Sequence, residues 1–225
     1  MARRFATLLP IILGVACQSV PENPGFVPAG WQLRLDQDFA DAQSARAAFE
    51  FSDPKAWRID AGTLELVGPS DYRPPVRSPR SIALLADLRV GDFVLEAEVQ
   101  QTGREYGHRD LCVFFGYQAP DRFYYTHVAS KADPHAHSIF LVDRNPRRSI
   151  ATKRTQGVHW GRNAWHRIRV NRNTQVGTID VFFDGTPILH ARDRTLLAGR
   201  VGLGSFDDTG RFRRFRLWTP GLPRE

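Results

Sequence analysis

Cysteine is scarce in this chain of 225 residues, which contains only Cys17 and Cys112. A secreted domain with one structural disulfide would pair these two residues. Cys112, however, lies inside the apolar run 111–117, where a lone cysteine behaves as a small buried hydrophobic residue. A lipid on Cys17 would explain the cysteine count without a disulfide, and we favour that interpretation.

Several patterns of catalysis and nucleotide binding are also missing from the sequence. There is no His-Glu-x-x-His zinc motif, no nucleophile elbow, no P-loop and no Rossmann glycine pattern. Nucleotide chemistry is therefore not expected. No internal repeat is present, and no long amphipathic helix interrupts the series of short strands described below.

The N-terminal segment 1–17, MARRFATLLPIILGVAC, resembles a secretory signal. Arg3 and Arg4 precede an uncharged apolar stretch that is shorter than the roughly 20 residues needed to cross a bilayer. Its ending, LGVAC, resembles a bacterial lipoprotein signal with Cys17 as the lipidation site, although Gly14 occupies the place of the usual leucine. The alternative is an ordinary signal peptide cut near Ala16. We expect an exported, lipid-anchored envelope protein whose membrane contact is the lipid, with a flexible Pro/Gly-rich tether at 18–30.

Positive charge exceeds negative charge, with a formal net charge of +7 that falls to +5 once Arg3 and Arg4 are removed. Basic chains can bind nucleic acid. The export signal and the scattered arginines argue against nucleic acid as a partner here. An anionic glycan or a lipid headgroup is the alternative partner for these charges.

Short strands separated by turns account for the rest of the chain, so residues 31–219 are predicted to form one all-β domain, a two-sheet antiparallel jelly-roll sandwich. The clearest stretch is 109–144, where apolar and aromatic runs at 111–117, 122–128 and 137–142 predict an antiparallel meander. Residues 57–67 predict a hairpin about Ala61–Gly62. Residues 40–51 have alanines at helical spacing and could form one short helix.

The second hairpin of this meander carries three of the seven histidines of the chain, His127, His135 and His137. Symmetric folding about residues 130–134 would place His127 opposite His137, and Tyr125 opposite Ile139, at about 4.5–5.5 Å between Cβ atoms. A slip of one residue would place the two histidines on opposite faces. The functional interpretation is a His/Asp cluster for proton transfer, sugar hydroxyls or a metal, and the alternative is histidines bonded to backbone.

Other polar pairs are candidates for the same chemistry. Arg109 and Asp110 open the meander and could hold an anion or sugar hydroxyls, or simply brace a strand end. In the alternating strand 92–100, Phe93, Leu95, Ala97 and Val99 are predicted on one face and Glu96 and Glu98 on the other. Tyr124, Thr126 and Phe114 are predicted to share the face of the two glutamates. Paired carboxylates suit glycoside hydrolysis, but a solvated polar strand face is the simpler explanation.

These considerations give a set of predicted site residues. The predicted catalytic residues are His127, His137 and Asp110, and the predicted ligand-binding residues are Arg109, Tyr125, His135, Glu98 and Tyr124. No cofactor or metal is predicted as resident. Asp207 and Asp208 could bind Ca²⁺, although a turn role is the simpler interpretation.

The end of the chain, TIDVFFDGTP followed by GRVGLGSFDDTGRFRRFRLW, resembles the close of a concanavalin A-like, laminin-G-like jelly roll. The segments LDQDF, WRIDAGTLEL and GDFVLEAEV, with Trp165-His166, resemble the 3-keto-disaccharide hydrolase-like branch of that superfamily. The resemblance implies a domain that binds or cleaves carbohydrate, usually on its concave sheet. We therefore expect a carbohydrate-binding protein, with a glycan-active hydrolase or lyase and a structural envelope protein as alternatives.

Overall fold

A computed structural model describes residues 27–221, so Cys17 and most of the predicted tether lie outside the described residues. The strands are β1 (Trp31–Gln37), β2 (Phe49–Phe51), β3 (Trp57–Asp60), β4 (Thr63–Leu66), β5 (Ser81–Val90), β6 (Phe93–Gln101), β7 (Asp110–Ala119), β8 (Arg122–Ala129), β9 (Ser138–Asp143), β10 (Arg148–Ser149), β11 (Ala151–Arg154), β12 (His166–Arg172), β13 (Thr178–Phe183), β14 (Thr186–Arg192), β15 (Gly199–Ser205) and β16 (Gly210–Pro220). All of the strand pairings are antiparallel, as predicted.

The strands form two sheets. Sheet A has nine strands in the order β11-β14-β13-β12-β6-β16-β4-β3, with β1 also paired to β16. Sheet B has seven strands in the order β10-β9-β8-β7-β15-β5-β2. Neighbouring strands in both sheets are often distant in sequence, as β6 and β16 are, which is the topology of a closed jelly-roll sandwich rather than a simple meander.

Helical structure is minor. The helix α1 (Ala42–Ala48) begins where the Asp41 carboxylate accepts hydrogen bonds from the backbone N–H groups of Gln43 and Ser44. It ends before Phe49, where β2 starts, so the predicted helix 40–51 is shorter than expected. A single 3-10 turn covers Pro54–Ala56. Within residues 27–221, no helix is long and apolar enough to cross a bilayer.

The main core lies between the two sheets. The alternation predicted for β6 is confirmed, because Phe93, Leu95, Ala97 and Val99 are buried in the core cluster that also contains inward-facing residues of sheet B. Glu96, Glu98 and Gln100 point to the outer face of sheet A. This alternation is what a strand with one face on the core requires.

Sheet B carries a second apolar layer on its outer face. Cys112, Phe114, Phe123, Tyr125 and Phe140 form this layer, and Val76 of the segment 68–80 packs against it. The adjoining strand β15 approaches β5 so closely that a Cβ at Gly204 would lie 1.9 Å from the carbonyl oxygen of Ser81. The Gly-x-Gly pattern of β15 is therefore explained by close backbone contact.

The predicted register of the histidine hairpin is wrong by one residue. His127 pairs with Ser138 rather than His137, Tyr125 with Phe140 rather than Ile139, and Phe123 with Val142 rather than Leu141. The connection 130–137 is not a symmetric five-residue loop. It contains its own bridge between Asp133 and Ala136, and His137 has a positive φ of 51°, which places His137 outside the ladder.

The described chain enters and leaves the sandwich at the same end. Trp31 pairs with Pro220, and the N–H of Gly221 donates a 3.3 Å hydrogen bond to the carbonyl of Gly30. At the other end of β16, Gly210 pairs with Gln101. The connections that carry the predicted site residues lie at that second end.

Candidate functional site at the loop end of the sandwich

Four connections meet at one end of the sandwich, which we call the loop end. They are residues 102–109, 130–137, 155–165 and 206–209. Backbone hydrogen bonds join them, including Lys131 N–H to the Gly107 carbonyl at 2.9 Å and Ala132 N–H to the Gln156 carbonyl at 2.8 Å. Rigid strands therefore hold loops from distant parts of the chain side by side, which is a common way to build a binding site.

Asp110 is the first residue of β7 and is fully buried on the outer side of sheet B. Its carboxylate accepts hydrogen bonds from Ser205 Oγ at 3.1 Å, from the N–H of Phe206 at 3.1 Å and from Cys112 Sγ at 3.0 Å. Burial raises the pKa of the Asp110 carboxyl well above its ordinary value, and the charge of Asp208 raises it further. A carboxyl group with a raised pKa holds its proton more tightly than an exposed one.

Asp208 connects Asp110 to the loop 102–109. The Tyr106 hydroxyl donates to Asp208 Oδ2 at 2.8 Å, and the N–H of Asp110 donates to the same oxygen at 3.1 Å. Burial raises the pKa of Asp208. Burial and the hydrogen bond to Asp208 raise the pKa of Tyr106, so its hydroxyl remains a donor.

Asp110, Asp207 and Asp208 each place a carboxylate oxygen within 4.8 Å of the others. Carboxylate oxygens are ligands that Ca²⁺ prefers. This donor set fits the ion suggested by the sequence for Asp207 and Asp208, with Asp110 as a third ligand. A cation held there would offset the repulsion between the three carboxylates.

His127 and His137 touch each other although they are not paired in the ladder. The N–H of His137 donates to Nδ1 of His127 at 3.4 Å, and the N–H of Ala129 donates to Nδ1 of His137 at 3.3 Å. Burial is the main cause that lowers the pKa of His127 to about 3, and the positive charge of Arg147 is the second. Burial lowers the pKa of His137 to about 4. Both rings are therefore neutral near pH 7 and accept hydrogen bonds from backbone.

Nε2 of His127 lies 3.8 Å from Oδ1 of Asp110. That separation is too long for a hydrogen bond. Nε2 of His137 forms a 2.9 Å hydrogen bond with Oγ1 of Thr155, and the ring does not face Asp110. The three predicted catalytic residues thus belong to one buried neighbourhood without forming a hydrogen-bonded relay.

The exposed part of the loop is organised by Asp133. Its carboxylate accepts a 2.7 Å hydrogen bond from the N–H of His135 and contacts the ring of His108. Burial alone would raise the pKa of Asp133, but these hydrogen bonds outweigh it and hold the pKa below its ordinary value. The His135 ring itself is exposed.

Arg109 has an unusual environment for a buried cation, with 6% of its surface exposed. Its guanidinium donates to Gln101 Oε1 at 2.8 Å, to the Gln101 carbonyl at 3.2 Å and to the Gly161 carbonyl at 3.3 Å. Within residues 27–221 no carboxylate forms an ion pair with it. Arg109 and Asp110 were predicted to hold one ligand together or to brace a strand end, but successive residues point to opposite faces, so the two side chains do not face one ligand.

Two adjoining cavities lie at the loop end, and Arg109 and Glu105 line both of them. The larger has a volume of about 470 Å³, and its wall includes Tyr106, Ser130, Gln156, His159 and Trp160. The smaller has a volume of about 360 Å³, and its wall includes Gln101, Arg104, Arg162 and Asn163. The larger volume is in the range of small-molecule sites in proteins.

Three predicted ligand-binding residues do not join this site. Glu98 lies on the outer face of sheet A, whereas Tyr124 belongs to sheet B and faces the core, so the predicted shared face of Glu98, Tyr124, Thr126 and Phe114 is wrong. Tyr125 is fully buried on the outer face of sheet B, beneath Arg147. The alternation was correct within each strand, but the sequence did not show which sheet each strand enters.

No sequence pattern singles out Tyr106, Glu105 or Gln156, and the pattern around His159 and Trp160 does not decide between a groove and the core. Trp160 is 2% exposed, and its Nε1 donates to the Arg109 carbonyl at 3.1 Å. His159 is exposed at the cavity wall. These residues come from loops without a periodic pattern, so only the assembled fold brings them to Arg109.

Comparison with known proteins bears on the fold. No protein-family model matches the chain, and no curated protein does. Among solved structures, the carbohydrate binding module CBM66 from Bacillus subtilis superposes with a TM-score of 0.59 at 13% identity, covering 76% of this chain and 96% of that one. Winged bean acidic lectin, complexed with methyl-α-D-galactose, superposes with a TM-score of 0.56 at 13% identity, covering 84% of this chain and 98% of the lectin chain.

A putative glycosyl hydrolase from Parabacteroides distasonis gives a TM-score of 0.54 at 12% identity, covering 83% of this chain and 98% of that one. At these identities the similarity establishes the fold and nothing finer. The chain has the jelly-roll fold of these proteins, and the predicted all-β two-sheet sandwich is confirmed.

Proposed function

We propose that this chain is an exported carbohydrate-binding protein of the bacterial envelope, anchored by a lipid on Cys17. The observation that carries the binding part is the cavity of about 470 Å³ at the loop end. The export part is supported by the sequence of residues 1–17 alone. The fold is shared with a carbohydrate binding module and with a lectin, which is consistent with the proposal.

The chemistry of the cavity wall suits sugar hydroxyl groups. Arg109 supplies donors, Glu105 supplies acceptors, and Ser130 and Gln156 supply both. Polar groups of both kinds are what a ring of hydroxyls needs, because each hydroxyl donates one hydrogen bond and accepts others. Tyr106, which is half-buried, adds aromatic surface to the same wall.

Binding is favoured over hydrolysis by the burial of the predicted catalytic groups. Asp110 is 0% exposed and His127 is 3% exposed, so neither reaches a ligand in the cavity without a change in the loops. The hydrolase or lyase alternative rests on Asp110, whose raised pKa suits a general acid. The structural alternative requires that the cavity hold no ligand.

The test is a glycan array followed by titration calorimetry and product analysis on the purified protein. The cavity variants His159→Ala and Gln156→Ala should each lower the affinity for the glycan that binds most tightly. The expected loss is about fivefold to tenfold, as for one lost hydrogen bond. His135→Ala changes an exposed histidine outside the cavity wall and should leave the affinity unchanged.

Each other outcome has a distinct meaning. New glycan ends in the product analysis would replace the binding proposal by the enzymatic alternative. Loss of binding in His135→Ala, with His159→Ala unaffected, would move the site to the tip of the loop 130–137. A failure of every glycan class to bind would leave the structural alternative.

A further inference from the structure

The outer face of sheet A carries a dense group of arginines that the loop-end site does not use. We call it the arginine face, and it consists of Arg58, Arg167, Arg169, Arg211, Arg213, Arg214 and Arg216 around Glu65, Glu96 and Glu98. These residues come from β3, β4, β6, β12 and β16. Pairing of β6 with both β12 and β16 gathers them on one side of the sheet.

Each of the three carboxylates is held by two arginines. Glu65 accepts hydrogen bonds from Arg58 at 2.5 Å and from Arg211 at 3.0 Å. Glu98 accepts from Arg213 at 2.6 Å and from Arg214 at 3.1 Å.

Glu96 accepts from Arg169 at 2.9 Å and from Arg216 at 3.3 Å. Every carboxylate of the group is therefore shared between two cations, and the group as a whole is positively charged.

Burial separates the two signs of charge. The side chains of Glu65, Glu96 and Glu98 are 12%, 7% and 8% exposed. Those of Arg58 and Arg214 are each 58% exposed, and that of Arg211 is 43% exposed. The charges that solvent meets are therefore mainly those of the more exposed arginines, whereas Arg169, whose side chain is 8% exposed, is buried with the carboxylates.

The count of charges on this face is also unequal. Seven arginines surround three glutamates, which leaves a surplus of four positive charges. Asp36 lies opposite Arg216 in the ladder and Asp60 adjoins Arg58 on β3, and together they lower that surplus to two. Asp180 lies further out on β13, where it is paired with His190 of β14, and His190 in turn lies opposite Lys153 of β11. The centre of the face remains cationic when these neighbours are included.

Aromatic rings fix two of the guanidinium planes. Arg213 lies over the ring of Trp165, 4.1 Å from its centroid, and Arg216 lies 5.5 Å from that of Trp218. A guanidinium that stacks on a ring and also bonds a carboxylate loses little further freedom when it binds a second anion. The face is thus a pre-organised array of cations, carried by strands about 4.8 Å apart at positions about 7 Å apart along each strand.

We propose that the arginine face binds an acidic polysaccharide, one that bears carboxylate or sulfate groups at regular intervals. The planar fork of arginine bonds both of these anions in a bidentate way. An extended polyanion can cross several rows of the sheet at once. This inference concerns a surface separate from the loop-end cavity and does not depend on a ligand binding there.

A membrane surface is the less suitable occupant. Interfacial binding combines basic groups with apolar side chains that enter the acyl boundary. The exposed large apolar side chains within residues 27–221 are Leu33, Val67, Val176 and Leu197, and of these Leu33 lies opposite Trp218 in the ladder, at the edge of the face. The rings of Trp165 and Trp218 lie against Arg213 and Arg216, so the face offers mainly charge and hydrogen bonds, with few apolar groups.

The experiment measures binding of the purified protein to polygalacturonate and dextran sulfate. Binding to neutral dextran, phosphatidylglycerol vesicles and duplex DNA is measured in the same way for comparison. Binding to both acidic polysaccharides and not to dextran is expected, with an affinity that falls as salt rises. The double variant Arg58→Gln/Arg214→Gln should lower the affinity by about fivefold to tenfold. Its fold should persist, because Glu65 keeps Arg211 and Glu98 keeps Arg213.

The matched control is Arg73→Gln/Arg144→Gln, which removes the same charge from exposed positions in two loops outside sheet A. It should bind as the unmodified protein does. Equal losses in the two double variants would overturn the proposal, since net charge alone would then explain the binding. Vesicles or DNA bound as tightly as the polysaccharides would also overturn it.

A second pair of variants separates this surface from the cavity. Arg58→Lys/Arg214→Lys keeps the charge and removes the fork, and should lose part of the affinity. His159→Ala should leave polyanion binding unchanged. A loss in His159→Ala equal to that of Arg58→Gln/Arg214→Gln would place the polyanion in the cavity instead.

Discussion

The guanidinium of Arg147 donates a 2.8 Å hydrogen bond to the hydroxyl of Tyr125. It also lies 4.7 Å from the ring centroid of Phe140 and 4.2 Å from that of Phe206. The N–H of Arg147 donates to the carbonyl of Arg77 at 3.1 Å, which joins it to the segment 68–80. Arg147 and the segment 68–80 thus close the outer face of sheet B together, over aromatic residues that would otherwise be available to a ligand.

Arg147→Ala should therefore destabilise the domain, by about 2 kcal/mol, because it removes a hydrogen bond to a buried hydroxyl and two ring contacts. Urea unfolding checks this value. Arg148→Ala is the matched control, since the Arg148 side chain is 61% exposed and forms one ion pair. This variant should lower the free energy of unfolding by less than about 1 kcal/mol. Equal costs for the two variants would show that Arg147 has no special role in closing the face.

The thiol of Cys112 should react slowly with thiol reagents in the native protein. Cys112 is 1% exposed, and burial raises the pKa of its thiol, so little thiolate is present or accessible. The rate should rise with urea in parallel with unfolding. Labelling within the mixing time in the absence of urea, measured in a Cys17→Ser background, would contradict the buried position.

Stability should fall below neutral pH in part because of His137, whose pKa is lowered to about 4 in the folded state. An unfolded histidine titrates near 6.5, so the unfolded chain binds the additional proton between about pH 6.5 and 4. The free energy of unfolding then falls by roughly 1.4 kcal/mol per pH unit for this group as pH drops through that window. The raised pKa values of Asp110 and Asp208 act in the opposite direction.

His137→Asn isolates the histidine contribution, since asparagine tolerates the positive φ at this position. The variant should have a shallower dependence of stability on pH, by roughly 1 kcal/mol per pH unit between pH 6 and 5. His159→Asn changes an exposed histidine and should keep the original slope. Identical slopes in all three proteins would mean that His137 is not held neutral by the fold.

The proposed anchor gives a prediction outside the described residues. Cys17→Ser should abolish incorporation of radiolabelled fatty acid and move the protein from the membrane fraction to the soluble fraction. Fractionation and labelling of both proteins in the same host check it. Equal labelling of the two would remove the lipoprotein proposal and favour an ordinary signal peptide.

Much of the fold could be predicted from local pattern. The alternation of β6 assigned Phe93 and Leu95 to the core, and Ala61–Gly62 marked a hairpin turn. The turn is formed because both residues adopt positive φ, at 47° and 73°. These features depend only on residues close in sequence.

The register at His127 could not be predicted in the same way, because it depends on the geometry of a long loop that closes on itself. The burial of Tyr125 depends on Arg147 and on the distant segment 68–80. The arginine face could not be predicted from local pattern either. Scattered arginines such as Arg169 and Arg213 meet only because β12 and β16 flank β6.

The arrangement of the chain ends also decides how an anchored molecule would be displayed. Gly30 and Gly221 meet at one end of the sandwich, whereas Arg109 and its cavities lie at the other, on the order of 30 Å away along strands of this length. If Cys17 carries a lipid, a membrane-impermeant label should reach a Leu33→Cys thiol less readily than a His159→Cys thiol. Equal labelling would contradict this orientation. Since the described chain begins at the Gly30 end of the sandwich, a lipid on Cys17 would leave the cavities at the end of the domain farther from the point of attachment.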